Sequence, residues 1–93
     1  MKITTQMLRQ ALQYSVRCEG EGIRVHRENG DGNDHFYVDD EVIYVFSAGR
    51  GWCDQKATPL ANTANEKEYR AVISALYKQR KYIYSMNGNQ FRD

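Results

Sequence analysis

The stretch HFYVDDEVIYVFS, residues 35–47, decides the fold class. Phe36 and Val38 alternate with His35 and Tyr37, and Ile43 and Val45 alternate with Val42, Tyr44 and Phe46. A period of two puts successive side chains on opposite faces of an extended chain, so the stretch predicts two strands. Asp39 and Asp40 stand between them, and aspartate tolerates the left-handed backbone of a tight hairpin. The expected turn is therefore Asp39-Asp40, with Tyr37 opposite Val42 and His35 opposite Tyr44.

Towards the N-terminus, IRVHRE (23–28) alternates in the same way, with Ile23 and Val25 on one face and Arg24 and His26 on the other. Between it and the hairpin lies NGDGNDHFY (29–37). This segment resembles one unit of the calcium-binding nonapeptide of repeat-in-toxin proteins, with Gly30, Gly32, Asp34 and Phe36 at matching offsets. In that family each ion sits between consecutive copies, and this chain has one copy. The segment reads as a hairpin loop whose glycines supply positive φ, and no metal is expected.

Residues 4–18, TTQMLRQALQYSVRC, carry Leu8, Ala11, Leu12, Ser15 and Val16 on one face, the spacing of an amphipathic helix. Thr4 is its expected N-cap, and Ile3 can staple onto Leu8. On the C-terminal side, residues 48–62 read as a long irregular connection holding the one proline and the one tryptophan. Thr63 and Glu66 then have capping-box spacing ahead of a second helix over 65–81, with Tyr69, Val72, Ile73 and Leu76 on its apolar side. YIYSM (82–86) fits either a prolonged helix or a short fourth strand, and 87–93 reads as a loose tail.

The expectation is one α+β domain over residues 1–93, in the order α-β-β-β-α. A three-stranded antiparallel sheet has both helices packed on the face bearing Ile23, Val25, Phe36, Val38, Ile43 and Val45. The same order occurs in double-stranded-RNA-binding domains. Where that family has a paired-lysine run at the start of its second helix, this chain has Glu66, Lys67, Glu68, Tyr69 and Arg70. Some small inhibitors encoded by mobile elements share the order as well, as architecture without a motif.

Composition narrows the function classes. The 93 residues are 41% hydrophobic and 27% charged, ordinary for a globular domain. The longest apolar run, Val42 to Phe46, is far below the roughly 20 residues that cross a bilayer, so no membrane partner is expected. The start MKITTQMLRQ has no apolar core of a signal peptide, which makes a cytoplasmic location the default and Cys18 and Cys53 free thiols. Neither cysteine has the short spacing of a zinc site with the other, with His26 or with His35. Phosphate-loop and dinucleotide fingerprints are absent, since Gly49-Arg50-Gly51 leads into Trp52 rather than a helix. No cofactor and no catalytic residue is expected, and the chain is read as a non-enzyme.

Two binding surfaces follow from the pattern. The sheet face away from the helices would carry Tyr37, Tyr44, Phe46, Val42, His26 and His35, with Arg50 and Trp52 from the neighbouring loop. Rings rimmed by charge are typical of protein interfaces, so this face predicts an adaptor or inhibitor bound to another protein, or a homodimer. The alternative is nucleic acid, held by Lys67, Arg70, Lys78 and Lys81 along one stripe of the second helix. Against it stands the net charge of +1 and the acid-rich middle of the chain, Glu19 to Glu41.

Overall fold

The computed structural model describes residues 2–13, 22–28, 32–48, 56–87 and 89–90. In chain order these form α1 (Thr5–Gln13), β1 (Ile23–His26), β2 (Asn33–Asp39), β3 (Val42–Ala48), β4 (Thr58–Asn62), α2 (Glu66–Lys78), a 3₁₀ turn (Arg80–Tyr82), β5 (Ile83–Met86) and β6 (Asn89–Gln90). The fold is α+β, with an antiparallel sheet in the order β4-β3-β2-β1-β5-β6.

The β2–β3 hairpin forms in a register different from the expected one. Tyr37 pairs with Tyr44, His35 with Phe46 and Asp39 with Val42. The turn residues are Asp40 and Glu41, with φ of 48° and 68°. Packing accounts for the change. A turn at Asp39-Asp40 would set Glu41 opposite Val38, whereas the observed register sets Ile43 there and pairs Phe36 with Val45. Matching apolar side chains across strands outweighs the strain of a glutamate at positive φ. The shift is an even number of residues, so every side chain keeps its predicted face.

Residues 48–62 are not wholly irregular, because Thr58–Asn62 pair with β3 as the edge strand β4. Pro59 hides this strand from a pattern reading, yet an edge position tolerates a residue without an N–H. A register shift between Ile43 and Tyr44 bulges the strand at Leu60. Ile83–Met86 resolve as strand β5, which pairs with β1 from the side opposite β2. Within the expected tail, Asn89 and Gln90 return against Met86 and Ser85.

Helix starts are governed by local polar groups. Thr4 Oγ1 accepts from Met7 N–H at 3.2 Å, the cap expected for α1. At α2 the cap is Asn65 rather than Thr63: Asn65 Oδ1 accepts from Glu68 N–H at 3.2 Å. Thr63 instead donates through both Oγ1 and N–H to the Glu41 carbonyl, at 2.9 and 2.7 Å. That pair of bonds ties the entry of α2 to the tip of the β2–β3 hairpin.

Both helices pack on the predicted face. Leu8, Leu12, Ile23, Ile43 and Leu76 are fully buried there with Val25, Ile73, Ile83 and Met86, and Val38 and Val45 are partly covered. Burying one such side chain contributes about 1.5–3 kcal/mol. β1 is held at its start by Gly22, whose N–H donates to Asn87 Oδ1 and whose carbonyl accepts from Asn87 N–H, both at 2.9 Å. Gly22 has φ +93°, and a Cβ there would lie 2.2 Å from the Phe36 carbonyl oxygen. Gly32 also has positive φ, +103°, but a Cβ there would meet nothing closer than 3.5 Å. Gly22→Ala is therefore expected to cost about 3 kcal/mol or more, and Gly32→Ala about 1–2 kcal/mol, in urea unfolding of the two variants. Equal losses would show that the clash at Gly22 is relieved by a small backbone shift.

Candidate functional site

The aromatic face differs from expectation in its exposure. Tyr37 and Phe46 retain 2% of their accessible surface and His35 none. Their rings pack on one another: His35 lies 5.0 Å from Phe46 edge-on, and Phe46 lies 5.8 Å from Tyr37. Tyr44, half-buried, stacks on Tyr37 at 5.5 Å. These side chains form a second core on the reverse of the sheet, so an open ring-lined surface centred on them is corrected to an interior. Ring pairs in this geometry contribute about 0.5–1.5 kcal/mol beyond burial.

The remaining members of the predicted face are dispersed. Val42 is half-buried beside the hairpin turn, opposite Asp39. His26 is exposed at the far end, stacked on Tyr84 with centroids 4.0 Å apart. Its Nδ1 lies 2.6 Å from Asn33 Oδ1, within hydrogen-bond distance. Tyr84 is a partner that the ambiguous reading of 82–86 could not supply. Arg50, Trp52, Cys18 and Cys53 lie outside the described residues. Among the described residues no three His, Cys, Asp or Glu side chains come together at a metal site.

The basic stripe is on the surface: Lys67, Arg70, Lys78 and Lys81 are all exposed. It is not of a single sign, because Glu66 enters it. Glu66 takes a two-pronged contact from Arg9, at 2.7 and 3.3 Å, and a third from Arg70 at 3.6 Å. Arg9 also lies over the Tyr69 ring at 4.5 Å, and Tyr69 OH donates to the Arg9 carbonyl at 3.3 Å. This network joins α1 to α2. The Arg9 hydrogen bond holds the Glu66 carboxyl below the usual range, Glu66 raises Arg9, and burial pushes the Tyr69 phenol up. Arg80, absent from the sequence-based stripe, adds a cation at the end of α2, its guanidinium 4.1 Å over Tyr77.

A further surface emerges between α2 and β4. Leu60 is the one large hydrophobic side chain exposed among the described residues, at 41%. It stands beside a groove of about 390 Å³ whose floor is Phe36, Val72 and Leu76, with Ala71 and Ala75 along one wall. An adjoining hollow of about 340 Å³ shares Phe36 and Leu60 and runs on to Val45, Thr58 and Lys56. Sequence reading could not find it, because Leu60 lay in a segment with no period and Ala71 and Ala75 look like ordinary helix surface.

No helix among the described residues is long and apolar enough to cross a membrane. Comparison with protein-family models, curated proteins and solved structures finds no match for this chain.

Two outcomes follow from this geometry. Tyr37→Ala should cost about 3–5 kcal/mol and Tyr44→Ala about 1–2 kcal/mol, with a coupling of about 0.5–1.5 kcal/mol in the double-mutant cycle. Unchanged stability in Tyr37→Ala would contradict its place in a core. The Glu66 carboxyl, lowered on folding, contributes stability above the usual carboxylate pKa of about 4.3 and loses it as pH falls through the folded value. The urea midpoints of the native chain and Glu66→Gln should thus differ by a constant above about pH 5, and the gap should shrink as pH falls below the usual carboxylate range.

Proposed function

We propose that this protein is a non-enzymatic binding module of adaptor or inhibitor type, and that it contacts another protein through the groove between α2 and β4. The observation that carries this reading is Leu60, exposed beside an apolar groove floored by Phe36, Val72 and Leu76. A concave apolar strip with polar ends is the kind of surface that a partner's side chains can desolvate. The aromatic reverse face no longer supports the reading at Tyr37, His35 and Phe46, because those rings already spend their surface inside the chain.

A second reading, nucleic-acid binding, is favoured by the exposed Lys78, Arg80 and Lys81 at the end of α2, where Lys81 Nζ lies 5.0 Å over the Tyr82 ring. Phosphate contacts there would release counterions and make affinity fall steeply with salt. Glu66 weakens the other end of the stripe by engaging Arg70.

The two readings separate cleanly. Affinity capture from the native cell should yield proteins that are lost with Leu60→Asp and kept with the Lys78→Glu, Lys81→Glu pair. Leu60→Asp should remain folded, because the side chain is already partly in water. Capture insensitive to Leu60 would remove the groove from consideration. A low-salt gel shift at tens of micromolar protein, abolished by the lysine pair, would replace the protein-binding reading with the nucleic-acid one.

A further inference from the structure

Resting on the α2–β4 groove as the contact surface, we infer the shape of its occupant: an amphipathic helix of a partner protein, about three turns long and antiparallel to α2. The groove wall is a row along α2, made by Glu68, Ala71, Val72, Ala75 and Gln79. Its spacing of three and four residues is that of a ridge against which a second helix lays its own side chains. From Glu68 to Gln79 the row runs about 16 Å at 1.5 Å per residue. Ala71 and Ala75 occupy its middle, and their short side chains admit a helix axis at the near end of the usual 8–10 Å separation. The opposite flank of α2 is already taken, since Glu66 and Tyr69 bind α1 through Arg9. The incoming helix would be the third in the layer over the sheet, seated on Phe36 and Leu60.

An extended segment fits less well. A peptide that adds a strand needs a row of main-chain donors and acceptors on the edge, and Pro59, the second residue of β4, removes a donor from this short edge.

Charge sets the direction. Glu68 lies at one end of the trough and forms no ion pair among the described residues; the other end holds Lys56, likewise without an ion pair there, and Asp34, whose charge is met by Arg27 at 3.0 Å. β4 leads directly into α2, so Lys56, before β4, lies at the end of the trough away from the start of α2. A helix antiparallel to α2 brings its last turn to Glu68 and its first turn to Lys56. Helices favour cations in the last turn and acids in the first, so dipole and side-chain charge ask for the same orientation. These end charges select direction more than they add affinity.

The test is a displayed library of peptides of about 15 residues, long enough to span the row as a helix. Half carry helix-favouring backgrounds and half a central proline, and selection uses the full chain with counter-selection on Leu60→Asp. The expected winners are helix-favouring, acidic in the first turn and basic in the last, and they shift the amide resonances of Leu60, Ala71, Val72 and Ala75. Exchanging the end charges of a winning peptide should weaken it about fivefold, and the Glu68→Lys, Lys56→Glu double variant should reverse that preference. Winners confined to proline-bearing peptides that shift the same resonances would overturn the helical occupant and leave the groove as a protein contact. Enrichment of no peptide that depends on Leu60 would overturn both. Concentration-dependent dimerisation abolished by Leu60→Asp, seen in sedimentation, would make a second copy the occupant and overturn the inference as stated.

Discussion

The middle of β2, His35 to Tyr37, is buried on both faces, and this constraint organises the molecule. Phe36 points into the helix layer, while His35 and Tyr37 point into the ring cluster with Phe46 on the reverse side. Where both sides of a strand are covered it offers little open surface, and the large apolar side chain exposed among the described residues, Leu60, lies on the edge strand β4. The margins of the sheet differ in kind. One end of the strand order is the two-residue β6, while the other is β4, bulged at Leu60 and flanked by α2.

The helix layer adds a second asymmetry. α1 and α2 are joined by Arg9, Glu66 and Tyr69, an exposed ion pair backed by a ring under the guanidinium. Exposed pairs of this kind contribute little to stability, but here the pair orients the two helices and engages one flank of α2. The same glutamate draws Arg70 away from the cationic stripe. What remains of α2 is a flank of small and apolar residues beside Leu60 and a cationic end at Lys78, Arg80 and Lys81. The apolar flank has a floor of Phe36, Val72 and Leu76, with Leu60 beside it.

Alternation along Phe36–Val38 and Ile43–Val45, and the three-to-four spacing in both helices, are properties of a few consecutive residues, so element type and core-facing side chains were readable from the sequence. So was the cap at Thr4, whose hydroxyl reaches a donor three residues away. Features made by distant residues were not. β4 lacks a period and carries Pro59, and its strand character exists because β3 offers it a ladder. The turn moved by one residue because Ile43 is a better neighbour for Val38 than Glu41 is, a comparison across two strands. Asn65 displaced Thr63 as the cap of α2 because the Glu41 carbonyl engages Thr63.

The candidate site divides in the same way. By itself the sequence determined which side chains share a face, since that depends on backbone geometry within one strand or one helix turn. It assigned Tyr37, Phe46 and His35 to the side away from the helices, and that assignment holds. Whether a face meets water depends on what the rest of the chain lays over it, and only the tertiary structure decided that. The rings joined a second core, and Leu60, unremarkable in its own segment, came to stand beside Ala71 and Ala75 at the mouth of an open groove. Periodicity is local, but exposure is a property of the whole packed chain.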